Sequence, residues 1–172
     1  MLARTEEQGR FKLYLSDVGM LLASCPAEVA MAAISGERSV NFGSVYENVV
    51  AQGLAALRSP LRYYHHSRKG EVDFLIETRK GAVLPIEVKS GKDYKLHIAL
   101  NSLLGTDAYG IEEAVVLSEA NVSQGRRAGK TVHYLPLYMV GLVAAEASTP
   151  VTDSGALKGV RLDPIDFSGF SG

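Results

Sequence analysis

The sequence predicts a layered α/β or α+β fold in which helices precede and follow an antiparallel sheet. Its 172 residues are enough for one substantial hydrophobic core and too few for two. A hydrophobic fraction of 47% with 22% charged residues is typical of a globular chain. Three short apolar segments between turn-like sequences predict the sheet, and apolar segments with helical spacing on either side predict the outer layers.

The N-terminal third predicts one strand followed by helices. FKLYLSDVG (11–19) is predicted as a short strand, and either Ser16 or Asp17 can cap the apolar helix that follows. That helix is expected to be interrupted near Pro26. The segment NFGSVYENVVAQGLAALRS then predicts the clearest helix, because its apolar positions 45, 49, 50, 54 and 57 share one helical face.

The remaining elements follow the order of a meander, a helix and further strands. The segments LRYYHH (61–66), EVDFLIE (71–77) and VLPIEVK (83–89) are separated by the turns SRKG and TRKGA, so they predict antiparallel strands. After them come a helix over 97–105 ended by Gly105, a buried strand over 112–118, a strand in KTVHYLPL and an apolar helix over 138–147. We predict one domain over 1–150 and a loosely ordered C-terminal tail over 151–172.

Composition excludes several classes of protein. The single Cys25 rules out an internal disulfide framework and favours a reducing, cytoplasmic setting. The polar N-terminus does not resemble a signal peptide, and no apolar run approaches the ~20 residues of a membrane helix, so no membrane association is expected. A net charge of -1 means that binding to nucleic acid would need a local basic patch.

Charged residues inside two of the predicted strands point to a functional site. Alternation of side chains is expected to place Glu71, Asp73 and Leu75 on one face of their strand, with Val72, Phe74 and Ile76 on the other. On the next strand Glu87 and Lys89 share a face opposite Ile86 and Val88. A hairpin that turns about Lys80 would bring Asp73 opposite Glu87, and Glu71 opposite Lys89.

Two carboxylates that face each other across a sheet repel, so they need a cation or ample water between them. A divalent metal such as Mg²⁺, which prefers oxygen ligands, meets that need, and Lys89 could hold a water or neutralise a phosphate beside it. The alternatives are a plain solvated face with a Glu71–Lys89 ion pair, or a one-residue slip that separates Asp73 from Glu87.

A carboxylate strand followed by Glu87-Val88-Lys89 on the next strand resembles the PD-(D/E)XK nuclease superfamily, with Asp73 as the first acid. The ordered segments FKLYLSDVGMLLA, GSVYENVVAQGL, YYHHSRKGEVDFLIE, LPIEVKSG and HYLPLYMV are also similar to a domain of unknown function. That domain lies C-terminal to the ATPase module of many bacterial and archaeal AAA-type ATPases. The resemblance implies that an ATPase module, missing from this chain, is a partner.

The resemblance implies a three-layer, restriction-endonuclease-like sandwich around a mixed sheet. It also implies Mg²⁺ or Mn²⁺ held at Glu47, Asp73, Glu87 and Val88, with Lys89, Asp73 and Glu87 as the catalytic residues of phosphodiester hydrolysis. For Glu47 the alternative is a capping box with Ser44, which would make it a helix-start residue. For the whole chain the alternative is an inactive module that binds nucleic acid or protein and regulates an ATPase.

Basic residues are expected near this site. Because consecutive antiparallel strands reverse direction, the SRKG turn and the segment after the third strand fall at one end of the sheet. Arg68, Lys69, Lys92 and Lys95 are therefore predicted to surround the end nearest Asp73 and to contact a phosphate backbone.

Overall fold

The centre of the protein is a six-stranded mixed sheet, seen in a computed structural model that describes residues 9–37, 41–91, 95 and 97–146. The strands are β1 (Arg62–His66), β2 (Gly70–Glu77), β3 (Val83–Val88), β4 (Glu113–Ser118), β5 (Ser123–Arg127) and β6 (Lys130–Pro136). Their order in the sheet is β1-β2-β3-β4-β6-β5.

The predicted antiparallel meander of β1, β2 and β3 is confirmed. β3, β4 and β6 run parallel, and β5 pairs antiparallel with β6 at the far edge. The sequence prediction missed β5, because its polar residues SQGRR lack the apolar alternation that marks a half-buried strand. The predicted tail over 151–172 lies outside the described residues.

Five α-helices surround the sheet in the described ranges: α1 (Val18–Ala23), α2 (Ala27–Ser35), α3 (Gly43–Ala56), α4 (Ile98–Leu104) and α5 (Val140–Ala145). Asp17 caps α1 by accepting a hydrogen bond from the Met20 amide, as predicted. The predicted break near Pro26 is also confirmed, since α2 begins directly after it.

The prediction of a strand at the N-terminal segment is wrong. Residues 11–15 are not in a strand, although Lys12 and Tyr14 point inward between exposed neighbours. The segment docks on α3 instead: the amide of Leu15 donates to Asn48 Oδ1 at 2.8 Å, and Asn48 Nδ2 donates to the Leu15 carbonyl at 3.1 Å. One buried side chain therefore takes the hydrogen bonds that a neighbouring strand would otherwise provide.

Two hydrophobic clusters on opposite faces of the sheet make the protein a three-layer α/β sandwich, the predicted fold class. The first cluster joins α3 and α5 to one face, with Val50, Leu54, Phe74, Ile86 and Leu117 among its members. The second joins α4 to the other face. Each large buried side chain contributes roughly 1.5–3 kcal/mol of apolar burial, so the helices hold the sheet from both sides.

The β2–β3 hairpin has the register that the sequence predicted. Phe74 pairs with Ile86 and Glu77 pairs with Val83, with the turn centred near Lys80. The paired stretch ends at Phe74–Ile86, and the same register extended by one residue would place Asp73 opposite Glu87. Over residues 74–77 of β2 the structure thus excludes the one-residue slip.

The predicted alternation of side chains along β2 is wrong at its first half. Val72 and Leu75 both pack in the α4 cluster, whereas Phe74 and Ile76 pack in the α3 cluster. The reason is a β-bulge: Arg62 pairs with Leu75 and Tyr64 with Val72, so the single residue between them on β1 faces two on β2. Asp73 is one of those two residues, and the bulge therefore redirects its side chain.

In the described ranges, we find no helix with the length and apolar character needed to cross a lipid bilayer.

Candidate functional site

Four elements bring charged side chains to one place: the N-terminal segment, α3, β2 and the end of β3. Asp73 lies at the bulge of β2, and Glu87 and Lys89 lie where β3 ends. Glu47 lies on the face of α3 that meets the N-terminal segment. The structure therefore joins Glu47 and Asp73 through Lys12 and places Glu87 near enough for its charge to act on Asp73.

Asp73 is held against the end of β3 by a direct hydrogen bond. Its Oδ2 accepts from the Val88 amide at 2.8 Å, and its side chain is 13% exposed. Burial and, after it, the negative charge of Glu87 raise the pKa of Asp73 to about 7, although the Val88 hydrogen bond opposes the rise. A carboxylate in this environment favours the approach of a cation.

Glu87 is the most deeply buried acid of the site, with a side chain 6% exposed. Lys89 Nζ lies 2.7 Å from Glu87 Oε1, while Oε2 has no hydrogen-bond partner within the described ranges. Burial raises the pKa of Glu87, and the bond with Lys89 opposes that rise. A buried oxygen without a donor is energetically unfavourable unless another group, such as a cation, contacts it.

Glu47 faces the site and not the start of its own helix. Its Oε2 accepts from Lys12 Nζ at 3.1 Å and from the Tyr14 hydroxyl at 3.4 Å. The capping-box alternative is wrong because α3 begins at Gly43, with Phe42 at the capping position, so Ser44 already lies inside the helix. Glu47 is therefore free of a role at the helix end and available to the site.

The sequence prediction missed Lys12, which lies among three of the carboxylates. Its Nζ is 2.5 Å from Glu71 Oε1, 3.1 Å from Glu47 Oε2 and 3.5 Å from Asp73 Oδ1. Burial alone would lower the pKa of Lys12, but the bonds with Glu71 and Glu47 outweigh it and raise the pKa. No local pattern marks this contact, because Lys12 and Glu47 are 35 residues apart in the chain.

The alternative of an ion pair between Glu71 and Lys89 is wrong. Glu71 binds Lys12 and lies 3.6 Å from His65 Nδ1, and Lys89, directly after β3, binds Glu87. Once the N-terminal segment docks on α3, Lys12 becomes the nearer cation for Glu71. Glu71 is thus a fourth carboxylate of the cluster, to which the sequence analysis gave no role in metal binding.

Val88, the fourth predicted metal position, has its side chain in the core cluster beneath α3. Only its backbone carbonyl has the chemistry of a metal ligand. Among the residues that the structure describes, no three Asp, Glu, His or Cys side chains are already arranged to hold one metal ion. The Lys12 ammonium contacts the oxygens of Glu47 and Asp73 that would form such a group.

The predicted basic residues lie at the expected end of the sheet where the structure describes them. Arg68 and Lys69 are exposed in the turn between β1 and β2, beside the end at which β3 finishes. Lys95 is also exposed, and Lys92 lies outside the described residues. Lys80 is exposed in the β2–β3 turn at the opposite end of the sheet.

Comparison with known proteins identifies a family. Neither a curated protein nor a solved structure matches the chain significantly. The family described as "Domain of unknown function (DUF4143)" matches residues 42–139, more than half of the chain. The matched range includes Glu47, Glu71, Asp73, Glu87 and Lys89, whereas Lys12 precedes it. On this match, the chain belongs to the DUF4143 family of domains of unknown function.

Proposed function

We propose that this domain binds Mg²⁺ and hydrolyses phosphodiester bonds of nucleic acid. The observation that carries the proposal is the Asp73–Val88 hydrogen bond, which joins the first acid to the Glu87-Val88-Lys89 stretch. Two acids and a lysine on neighbouring strands are the residues by which the chain resembles the PD-(D/E)XK nucleases.

The donor atoms suit Mg²⁺, which prefers oxygen ligands, keeps several waters and is usually held by one or two carboxylates plus a phosphate. Glu87 Oε2 is buried without a partner in the described part of the chain. Burial is the main cause that raises the pKa values of Asp73 and Glu87, so the ionised carboxylates are poorly solvated there. A divalent cation bound by Glu47, Asp73 and Glu87 would offset that loss of solvation.

A bound Mg²⁺ would supply an activated water at neutral pH and stabilise the charge that develops on the leaving oxygen. Lys89, fixed by its 2.7 Å contact with Glu87, would hold the attacking water and neutralise charge on the phosphate. Arg68, Lys69, Lys92 and Lys95 would bind the phosphate backbone on either side.

The direct test is hydrolysis of labelled single- and double-stranded DNA and RNA with Mg²⁺ or Mn²⁺. We expect Asp73→Asn and Lys89→Met each to lower the rate by roughly 100-fold or more, because each removes a group that contacts the reacting phosphate or its metal. Lys80→Met is the matched control, since Lys80 is exposed at the other end of the sheet. Cleavage that survives both Asp73→Asn and Lys89→Met would reject the assignment.

A second function is favoured by the Lys12 contacts, which already supply a cation to three of the carboxylates. We propose as the alternative a non-catalytic module that binds nucleic acid or protein and regulates an AAA-type ATPase module. It predicts no metal-dependent cleavage by any variant. It also predicts that Asp73→Asn changes stability or partner binding without a change in hydrolysis.

A further inference from the structure

We propose that Lys12 is a tethered cation that competes with a divalent metal for Glu47 and Asp73. The N-terminal segment would then set the metal affinity of the site, with Glu71 as the residue that positions Lys12. This inference rests on the metal site of the proposed function. It adds to that site two residues to which neither the sequence prediction nor the family resemblance gives a role in metal binding.

The competition follows from the oxygens that Lys12 contacts. Its ammonium lies 3.1 Å from Glu47 Oε2 and 3.5 Å from Asp73 Oδ1, two carboxylates of the proposed metal set. The other oxygen of Asp73 accepts from the Val88 amide. Mg²⁺ needs its ligands at 2.0–2.1 Å, so a metal on these oxygens would lie within about 5 Å of the ammonium, and the two cations would repel and compete for them.

The segment that carries Lys12 is held firmly enough to keep the ammonium in place. Two hydrogen bonds join the Leu15 backbone to the buried Asn48, and the Tyr14 ring packs 5.5 Å from the ring of Phe74. The Tyr14 hydroxyl also donates to Glu47. Binding of Lys12 is therefore intramolecular, and a tethered group competes at a high effective concentration.

Glu71 holds Lys12 without belonging to the proposed metal set. It is the nearest of the three carboxylates to Nζ, at 2.5 Å. An open groove lined by Arg10, Phe11, Tyr63 and Glu71 adjoins the cluster, and Lys12 Nζ lies 5.6 Å from the centre of the Tyr63 ring. The displaced ammonium can therefore move into this groove toward the aromatic face, at the loss of its close contact with Glu71.

The test is calorimetric titration of the EDTA-treated full chain with Mn²⁺. If Lys12 occupies the cluster in about nine molecules of ten, Lys12→Met should bind Mn²⁺ roughly tenfold more tightly than the wild type. Lys12→Gln should behave in the same way, and it serves if the methionine variant folds poorly. Arg10→Met is the matched control, because it removes an exposed positive charge from the same segment and should leave the affinity within about twofold of the wild type.

A double-mutant cycle with Glu71→Gln separates competition from general electrostatic repulsion. If Glu71 positions Lys12, the gain from Lys12→Met should fall to roughly threefold or less in the Glu71→Gln background. An equal gain in both backgrounds, or equal Mn²⁺ affinity of wild type and Lys12→Met, would overturn the proposal. So would a failure of every variant to bind Mn²⁺. Tighter Mn²⁺ binding by Lys12→Met without nucleic-acid cleavage would support the competition. It would count against only the proposed nuclease function.

Discussion

Replacing Asp73 with asparagine should stabilise the protein in the absence of metal, although Asp73 is a proposed metal ligand. The Asp73 side chain is 13% exposed, and burial together with the charge of Glu87 raises its pKa from 3.8 to about 7. Asparagine has nearly the same shape and keeps an oxygen that can accept from the Val88 amide. The substitution therefore removes the unfavourable charge and little else.

The direction and magnitude of the stability change follow from the pKa values of Asp73 in the unfolded chain and in the folded protein. Between pH 4 and pH 7 the folded protein binds more protons at Asp73 than the unfolded chain does, so the free energy of unfolding falls as pH rises through this window. A shift of about 3 units corresponds to about 4 kcal/mol. Partial solvation of the carboxylate reduces the expected gain of Asp73→Asn to about 2–4 kcal/mol at pH 8 and about 1 kcal/mol at pH 5.

The assay is urea denaturation at pH 5 and pH 8 with EDTA present. Asp107→Asn is the matched control, because its side chain is 93% exposed and the change should stay within about 0.5 kcal/mol. Excess Mn²⁺ should stabilise the wild type more than Asp73→Asn, since ligand binding adds to the stability of the form that binds it. An asparagine variant no more stable than the wild type at pH 8 without metal would refute the burial argument.

Two further predictions concern the core. Gly53 of α3 lies against α5, and a Cβ there would come within 2.8 Å of Val140 Cγ1. Gly53→Ala should therefore lower the free energy of unfolding by roughly 1–3 kcal/mol. Gly141→Ala has open space on an exposed helical position and should raise it by about 0.5–1 kcal/mol. If urea denaturation gave the same change in the free energy of unfolding for both variants, the close approach of α3 and α5 would be contradicted. His97 is buried beside Tyr134, and burial, with Lys89 and Arg127, lowers its pKa from 6.5 to about 4. The unfolded chain then binds more protons between pH 4 and pH 6.5, so stability rises with pH over this window, by up to about 3 kcal/mol. The His97→Phe variant should lack this rise. The same dependence of the free energy of unfolding on pH in wild type and variant would contradict the prediction.

Much of the fold was predictable because local patterns determine it. The helical spacing in α3, the turns between three apolar segments and the cap at Asp17 each depend on neighbours within a few residues. The predictions that failed depend on distant partners. Residues 11–15 have the alternation of a strand, but Asn48 takes their backbone hydrogen bonds. β5 was missed because it is an edge strand whose polar sequence has no apolar alternation.

The sequence by itself determined which acids and which lysine stand on the β2–β3 hairpin, because a tight turn sets the register of the strands that it joins. It could not determine the bulge at Asp73, which arises from pairing with β1, or the burial of Glu87 between layers. Only the tertiary structure placed the Lys12 ammonium among Glu47, Glu71 and Asp73. Ion pairs act through space, and docking of the N-terminal segment on α3 decides which charges meet.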